Sequence, residues 1–175
     1  MYLVKLTSIL LVILSVSCQT KSKTEDTDSS SEEKVTQADS VALLTKRPSP
    51  EAPRSAADRL VRALYFEHRK EENPFKEKKD RALVDQFFAK PTADLIWKSA
   101  KPIKADLLFN APDKAVEKAW VLPANVAGPK AVVFVTYQNQ GKPVELQCEM
   151  QQQDGRWRIT DMLYPNNKRL TELLK

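Results

Sequence analysis

Side chains able to exchange a proton near neutral pH are few in this sequence. The chain of 175 residues holds a single histidine, His68. It follows Leu64 by about one turn of a predicted helix, so it could serve as a base at the rim of a pocket. The alternative, and the commoner arrangement, is a histidine at a helix end that binds the free backbone carbonyls there.

A carboxylate near the C-terminus is the second candidate for chemistry. In the last predicted strand Asp161 lies an even number of residues from Trp157 and Ile159, so its side chain would lie on the same face of the strand as theirs. It could then point inward, near Tyr65 or Tyr137. A buried carboxylate beside a tyrosine can perform acid–base work. The alternative is that Asp161 binds a backbone amide or a helix end where the strand twists outward, and we favour that alternative.

The remaining polar and thiol groups predict neither a metal nor a cofactor. Asp106, Asn110 and Asp113 place oxygen atoms in one loop, but their spacing matches no known calcium loop. Cys148 alternates with apolar residues and is predicted to be a small core residue. Two cysteines and one histidine are too few for a disulfide scaffold or a cluster of histidine ligands. No basic motif interleaved with aromatic residues indicates nucleic-acid binding.

The spacing of apolar residues indicates which elements would position these side chains. It is helical in the first part of the domain and changes to a period of two beyond Asp113. Ser55, with Asp58 three positions later, predicts the start of a helix that ends at His68 or Glu71. Further helices are predicted at 80–89 and from Pro91 onward. The predicted strands are 119–122, 131–138, 144–152 and 156–163, with a turn at 124–130 after the first. The strand at 131–138 is rich in β-branched and aromatic residues, and the alternation is clean in 144–152. A short helix at 168–174 closes the chain.

This order predicts an α+β fold. N-terminal helices would pack on a curved antiparallel sheet of about four strands, because a sheet with one apolar face needs a cover. A length of 175 residues, of which 42% are apolar and 29% charged, is sufficient for one such domain. The net charge of +5 would allow a basic patch that contacts anionic lipid or an acidic polymer, although a solvated mixed surface is commoner.

The N-terminal segment indicates export. Lys5 is followed by an apolar run from Leu6 to Val16 and then by the small Ser17, which is typical of a secretory signal peptide at 1–17. At about 1.5 Å per residue the run covers roughly 16 Å, about half of the hydrocarbon thickness of a bilayer. A membrane-spanning helix is therefore the weaker interpretation.

The residues around Cys18 resemble a bacterial lipobox, in which the cysteine becomes the lipid-modified first residue of the mature chain. The usual leucine three positions before the cysteine is Ser15 here. The resemblance implies that Cys18 carries acyl chains such as palmitate and anchors the protein to a membrane. By the same resemblance Gln19 favours the outer membrane over the inner one. The alternative is an ordinary signal peptide cut nearby, with Cys18 an incidental thiol.

Residues 18–54 are predicted to form a lipidated cysteine followed by a disordered tether. The segment is rich in serine, threonine and charges and poor in large apolar residues, so it cannot bury enough surface to offset its ordering entropy. Its one apolar patch, 41–44, could at most form a helical turn. A flexible segment of this length has a root-mean-square span of roughly 30–35 Å. The folded domain is then predicted to be 55–175.

Three stretches of the domain resemble one known family. They are DLLFNAPD at 106–113, AVVFVTYQNQGKPVELQCEM at 131–150 and DGRWRITDMLY at 154–164. The similar family consists of uncharacterised bacterial envelope proteins with a cone-shaped fold, like that of nuclear transport factor two or the cystatins. The resemblance covers most of the domain, and it brings no catalytic or binding residues with it.

These observations predict a lipid-anchored cell-envelope protein, facing the periplasm, with a non-catalytic binding or accessory domain. Its partners would be the membrane, through the N-terminal lipid, and an envelope protein, a cell-wall polymer or a small molecule, but not nucleic acid. The alternative is a small cone-fold enzyme of the isomerase or hydrolase type with a pocket carboxylate. A deep pocket with two converging titratable side chains would favour the enzyme, and a filled interior would exclude it.

Overall fold

A computed structural model of the chain describes residues 37–69, 80–99, 106–112 and 116–175. The predicted signal peptide, Cys18 and the part of the predicted tether before Gln37 lie outside these residues, and so does Asp113. Among the helices of the described residues, none has the length and apolar character needed to cross a bilayer.

The described elements follow the predicted order of helices, sheet and a short closing helix. The helices are α1 (Gln37–Thr45), α2 (Ala56–His68), α3 (Arg81–Phe87), α4 (Lys90–Lys98) and, after the sheet, α5 (Leu170–Leu173). The strands are β1 (Val116–Ala127), β2 (Lys130–Asn139), β3 (Lys142–Gln153) and β4 (Arg156–Leu163). They form one antiparallel sheet in the order β1-β2-β3-β4. The predicted α+β fold class is therefore confirmed.

Two tight hairpins join β2 to β3 and β3 to β4, as the sequence predicts. Both central residues of each turn have positive φ: 52° and 75° at Gln140 and Gly141, and 49° and 73° at Asp154 and Gly155. Turns of this kind match the right-handed twist of the strands that they connect. Glycine at the second position adopts this conformation without steric cost.

Strand β1 is longer than the sequence predicts. We expected a strand at 119–122 and then a turn, but β1 continues to Ala127. Pro123 lies within a register shift between Val121 and Ala124, on a strand at the edge of the sheet. An edge strand tolerates proline at such a bulge because the missing N–H need not serve a second neighbouring strand.

The inner face of the sheet carries the main core. Helices α2, α3 and α4 supply buried side chains such as Leu64, Phe87 and Ile96. Cys148 in β3 belongs to this core and is fully buried, as predicted. Burial raises the pKa of its thiol, so the thiolate form is disfavoured.

The outer face of the sheet is apolar on β1 and β2, and α1 covers that part. Leu44 of α1 packs against the side chains of Leu122, Val132 and Phe134. Asn125 donates hydrogen bonds to the carbonyls of Leu44 and Lys46. The compact unit that holds the sheet therefore begins at Val35 rather than at Ser55.

The prediction of disorder is consequently wrong for residues 37–54. The composition of that segment did not reveal the apolar strip on the outer face of the sheet, which only the pairing of β1 with β2 creates. Arg47 adds an exposed ion pair to Glu145 of β3, with 2.8 Å between Nε and Oε2. The prediction of a tether now concerns residues 18–36 alone.

A buried carboxylate joins the N-terminus of α2 to β1. Ser55 and Asp58 form the predicted capping box: the Ser55 hydroxyl accepts the Asp58 amide, and Asp58 Oδ1 accepts the Ser55 amide at 2.6 Å. Asp58 Oδ2 also accepts a bond from Arg62 at 2.8 Å.

The same carboxylate reaches the sheet through the Ala124 amide. Burial raises the pKa of Asp58, but its hydrogen bonds from Ser55, Arg62 and the Ala124 amide lower the pKa below its ordinary value. Arg54 lies 3.8 Å away and donates to the Val121 carbonyl of β1 at 3.0 Å. These contacts fix α2 against the edge strand, and the two elements together form the walls of the candidate site.

Candidate functional site

One loop, residues 106–111, is held in place by three buried tyrosines. Tyr65 comes from α2, Tyr137 from β2, and Tyr164 directly follows β4. Burial raises the pKa of all three hydroxyls, so they remain neutral donors over a wide pH range. They donate, at 3.0, 3.0 and 2.5 Å, to the carbonyls of Leu108, Phe109 and Leu107 respectively.

The loop is closed by its own polar groups as well. Asp106 Oδ1 accepts the Leu108 amide at 2.8 Å, and the Asp106 amide donates to the Ala111 carbonyl at 2.8 Å. Asn110 has a φ of 50°, a left-handed conformation that asparagine adopts more readily than most residues. The described residues contain no group of three or more histidine, cysteine or acidic side chains that could hold a metal ion.

His68 and Asp106 meet where α2 ends against this loop. His68 Nε2 lies 2.5 Å from Asp106 Oδ2, and the two side chains are 10% and 4% exposed. The histidine ring also packs edge-on against Phe109, with 5.4 Å between the ring centroids. Asp106 thus divides its two oxygens between the loop backbone and the helix.

A cavity of about 430 Å³ opens beside this pair, between α2, the loop and the first part of β1. Its wall is aromatic, and its rim carries charges of both signs. The residues that line it are Tyr65, His68, Arg69, Asp106, Phe109 and the strand residues 116–119.

The rim of the cavity includes a strained backbone. Lys118 has a φ of 52° within a register shift between Glu117 and Trp120. A residue with a side chain pays about 1–2 kcal/mol for this left-handed conformation. The bulge breaks the regular alternation of β1 at a point where residues 116–119 line the cavity.

A second, shallower groove of about 210 Å³ runs along the outside of α2 and β1; we call it the outer groove. It shares Tyr65, Arg69 and Ala119 with the cavity. Two aromatic side chains stand at the outer groove with most of their surface exposed, Phe66 at 66% and Trp120 at 60%. The site therefore consists of the buried His68–Asp106 pair, the cavity beside it and the aromatic outer groove.

The structure brings some of the predicted site residues together. Tyr65 and His68 line the cavity, and Tyr137 lies behind it with its ring 4.9 Å from that of Phe109. The hydroxyls of Tyr65 and Tyr137 point at the loop backbone. His68 binds a carboxylate rather than the helix-end carbonyls that its position led us to expect.

Asp161 does not line the cavity. A register shift in the pairing of β3 with β4 places Asp161 opposite Glu149 and turns Met162 toward the core. Asp161 Oδ1 instead accepts a hydrogen bond from the Thr171 amide of α5 at 3.1 Å. Its Oδ2 forms an ion pair with Arg169 Nη1 at 3.2 Å. The inward orientation inferred from strand parity is wrong, and the helix-end alternative is correct.

The carboxylate that sequence reasoning missed is Asp106. It was considered only as a loop oxygen, because no periodic pattern connects 106–111 with α2. One available signal was the loop sequence itself, in which three apolar residues, 107–109, stand between the turn formers Asp106 and Asn110. Apolar residues in such a short loop indicate that the loop is buried.

No protein-family model matches the sequence, and no curated protein matches it either. Two solved structures show a distant similarity to this chain. One is the type VI effector–immunity complex Tae3–Tai3 from Ralstonia pickettii, at 18% identity over 63% of this chain and 94% of that chain, with a TM-score of 0.40. The other is a phospholipid-binding protein from Ralstonia solanacearum in complex with a phospholipid, at 17% identity over 65% and 68%, with a TM-score of 0.34. Similarity this low carries no argument about function.

Proposed function

We propose that this protein is anchored by a lipid on Cys18 to the bacterial cell envelope, at the outer rather than the inner membrane. Its α+β domain binds a ligand without transforming it. The observation that carries the binding role is the cavity between α2 and β1, which combines aromatic walls with a charged rim. The anchor is supported by the apolar run that ends at Cys18.

Binding is favoured over catalysis because the titratable groups at the cavity wall already serve the fold. The Tyr65 hydroxyl holds the Leu108 carbonyl, and its raised pKa opposes ionisation. Both oxygens of Asp106 are engaged, one by a backbone amide and one by His68. Loss of the Tyr65 hydroxyl proton would remove the hydrogen bond that holds the Leu108 carbonyl of the loop.

The lining of the cavity indicates the chemistry of the ligand. Phe109 and Tyr65 offer apolar ring surface. Among the described lining residues, Arg69 and Lys118 are cations and Glu117 and the buried Asp106 are carboxylates. This arrangement suits a small molecule with an apolar body and an anionic group. Such pockets place a few polar groups around an apolar lining to set ligand orientation.

Binding can be measured with anilinonaphthalene sulfonate, a fluorescent probe with an apolar body and one negative charge. Lys118→Gln should weaken probe binding about tenfold, the usual effect of removing one charge-assisted contact. Lys118→Gly should weaken it equally while relieving the positive φ, so the melting temperature should not fall. Lys130→Gln, which removes an exposed cation at the start of β2, is the matched control. Equal binding by all four proteins would contradict the assignment.

One observation favours the alternative, a small enzyme with a pocket carboxylate. His68 and Asp106 are two titratable side chains that converge at the cavity wall, the arrangement that we expected an enzyme to show. In that case Asp106, and not Asp161, would be the carboxylate. Asp106→Asn would then abolish turnover of a substrate while leaving its binding nearly unchanged, whereas a binding protein would lose affinity or stability only.

Replacing Cys18 with alanine tests the anchor. The variant should lose labelling by a palmitate analogue, because alanine cannot be acylated. It should also leave the membrane fraction of the cells, because the acyl chains are what anchors the protein. Cys148→Ala is the matched control, since that thiol is buried in the core and should leave fractionation unchanged. Continued membrane partition and labelling of the Cys18→Ala protein would contradict the proposal.

A further inference from the structure

The outer groove presents two exposed aromatic side chains that do not line the cavity, together with Arg62 and with Arg69, which lines both. Phe66 of α2 and Trp120 of β1 expose 66% and 60% of their surfaces beside it. Arg62 and Arg69 line the same groove, and among the described residues that line it none is acidic. Large aromatic side chains exposed together at one place on a protein surface mark an interaction site.

The basic and aromatic residues of α2 lie on one face of the helix. Arg59, Arg62, Phe66 and Arg69 are spaced by three, four and three residues, which places them along a single stripe. The opposite face of α2, with Val61, Leu64 and Tyr65, is buried in the core. The stripe therefore faces outward along the whole helix, and Trp120 stands beside it across the outer groove.

The cations of the stripe differ in how freely they can meet an anion. Arg62 is 41% exposed, and its Nη2 binds Asp58 at 2.8 Å. Arg59 and Arg69, before and after it on the stripe, are exposed. Guanidinium groups beside exposed aromatic rings match phosphate groups at an apolar boundary.

We propose that this stripe, together with Trp120, docks the domain on the headgroup layer of an anionic bilayer. Helix α2 would lie in the plane of the surface, with Phe66 and Trp120 at the apolar boundary and Arg59, Arg62 and Arg69 at the lipid phosphates. This proposal rests on the lipid anchor of the proposed function. That anchor is what favours a membrane over an acidic protein.

The length of chain before the described residues supports the same choice. Residues 19–36 would separate the acylated Cys18 from α1, and even a fully extended chain of that length reaches only about 60 Å. The domain would thus remain near the bilayer at a high effective concentration. A surface of modest intrinsic affinity would then be occupied much of the time.

Vesicle binding tests the docking surface separately from the anchor. The chain from Val35 to Lys175 is one compact unit that contains both core clusters, so it can be used without the signal segment and Cys18. It should bind vesicles of equal parts phosphatidylglycerol and phosphatidylcholine, and bind phosphatidylcholine vesicles at least tenfold more weakly. Added salt should weaken binding, and the tryptophan emission should shift to the blue on binding.

Variants assign the binding to this surface. The double variant Phe66→Ser, Trp120→Ser and the double variant Arg59→Gln, Arg69→Gln should each reduce binding at least tenfold, since each basic residue near an anionic surface contributes about fivefold. Trp120→Phe should keep binding but lose the emission shift. Val126→Ser, which changes an exposed apolar residue at the other end of β1, is the matched control and should bind like the parent. Thermal melts confirm that each protein is folded.

Three results would overturn the proposal: folded protein that does not bind anionic vesicles, binding that is equal on neutral vesicles, or binding that the aromatic variants retain. If vesicles are not bound and a photo-cross-linker at position 120 in whole cells joins one envelope protein, the groove is a protein-docking surface instead. The Cys18→Ala fractionation reports on the anchor alone, so failure of the docking surface and failure of the anchor are distinguishable.

Discussion

Raising the pH above about 10 should unfold the domain over a narrow range, because three buried tyrosines hold the loop 106–111. Their hydroxyl pKa values are raised from the ordinary value of 10.0 by burial. A group with a raised folded pKa contributes stability that is complete below the unfolded pKa and is lost as the pH rises above it. Each such tyrosine lowers the free energy of unfolding by about 1.4 kcal/mol per pH unit, and three together by about 4. A domain with a free energy of unfolding of about 5–15 kcal/mol should therefore unfold within a few pH units above 10.

Urea unfolding measured at successive pH values, together with tyrosinate absorbance, checks this result. In the chain 35–175, which lacks Tyr2, the absorbance should rise at the same pH at which the domain unfolds, because burial opposes ionisation of the three tyrosines in the folded state. Tyr137→Phe should lower the free energy of unfolding at neutral pH by about 1–3 kcal/mol, because the Phe109 carbonyl loses its donor. Above pH 10 the free energy of unfolding of this variant should fall less steeply with pH, because only two buried tyrosines remain to ionise on unfolding. Tyrosinate absorbance that rises while the protein remains folded would contradict the buried clamp.

Asp58→Ala should produce the largest loss of stability among single substitutions outside the apolar core. It removes the capping box with Ser55 and leaves the Ala124 amide of β1 without its acceptor. Loss of a cap and of a bond to a partly buried backbone amide should lower the free energy of unfolding by about 2–4 kcal/mol. Because α2 is fixed against β1 through this carboxylate, probe binding in the cavity should weaken as well.

The acid dependence of stability separates the charge of Asp58 from its hydrogen bonds. Its pKa is lowered in the folded state, so its contribution is present above the ordinary value of 3.8 and is lost as the pH falls below it. Asp58→Asn keeps part of the cap and should show a smaller loss at neutral pH with a shallower acid slope. Asp85→Ala, which removes an exposed partner of Arg81, is the matched control and should leave the unfolding midpoint unchanged. An Asp58→Ala protein as stable as the Asp85→Ala protein would contradict this role.

The predictions that the structure confirms rest on local signals. The capping box at Ser55 can be recognised from four consecutive residues, and helix α2 begins directly after Ser55, as that motif predicts. The hairpins at Gly141 and Gly155 follow from turn residues that adopt positive φ. Because such signals depend on neighbours along the chain, the α+β class and the strand order of the meander follow from the sequence alone.

The errors all involve contacts between distant residues. Helix α1 is ordered because Leu44 finds the apolar strip that Val132 and Phe134 form on the outer face of the sheet. Asp161 turns outward because one register shift between β3 and β4 reverses the parity of every later side chain in the strand. Neither the strip nor the shift has a signature in the local pattern.

The sequence by itself determined the class of the fold, the start of α2 and the two hairpin turns, since each of these depends on local period or on neighbouring residues. The export signal stays a prediction. The tertiary structure alone decided which carboxylate meets His68. Asp106 is 38 positions away along the chain, and it reaches the histidine only because three tyrosines from different elements hold its loop against α2. Side-chain partners across such separations are set by packing, which no periodicity records.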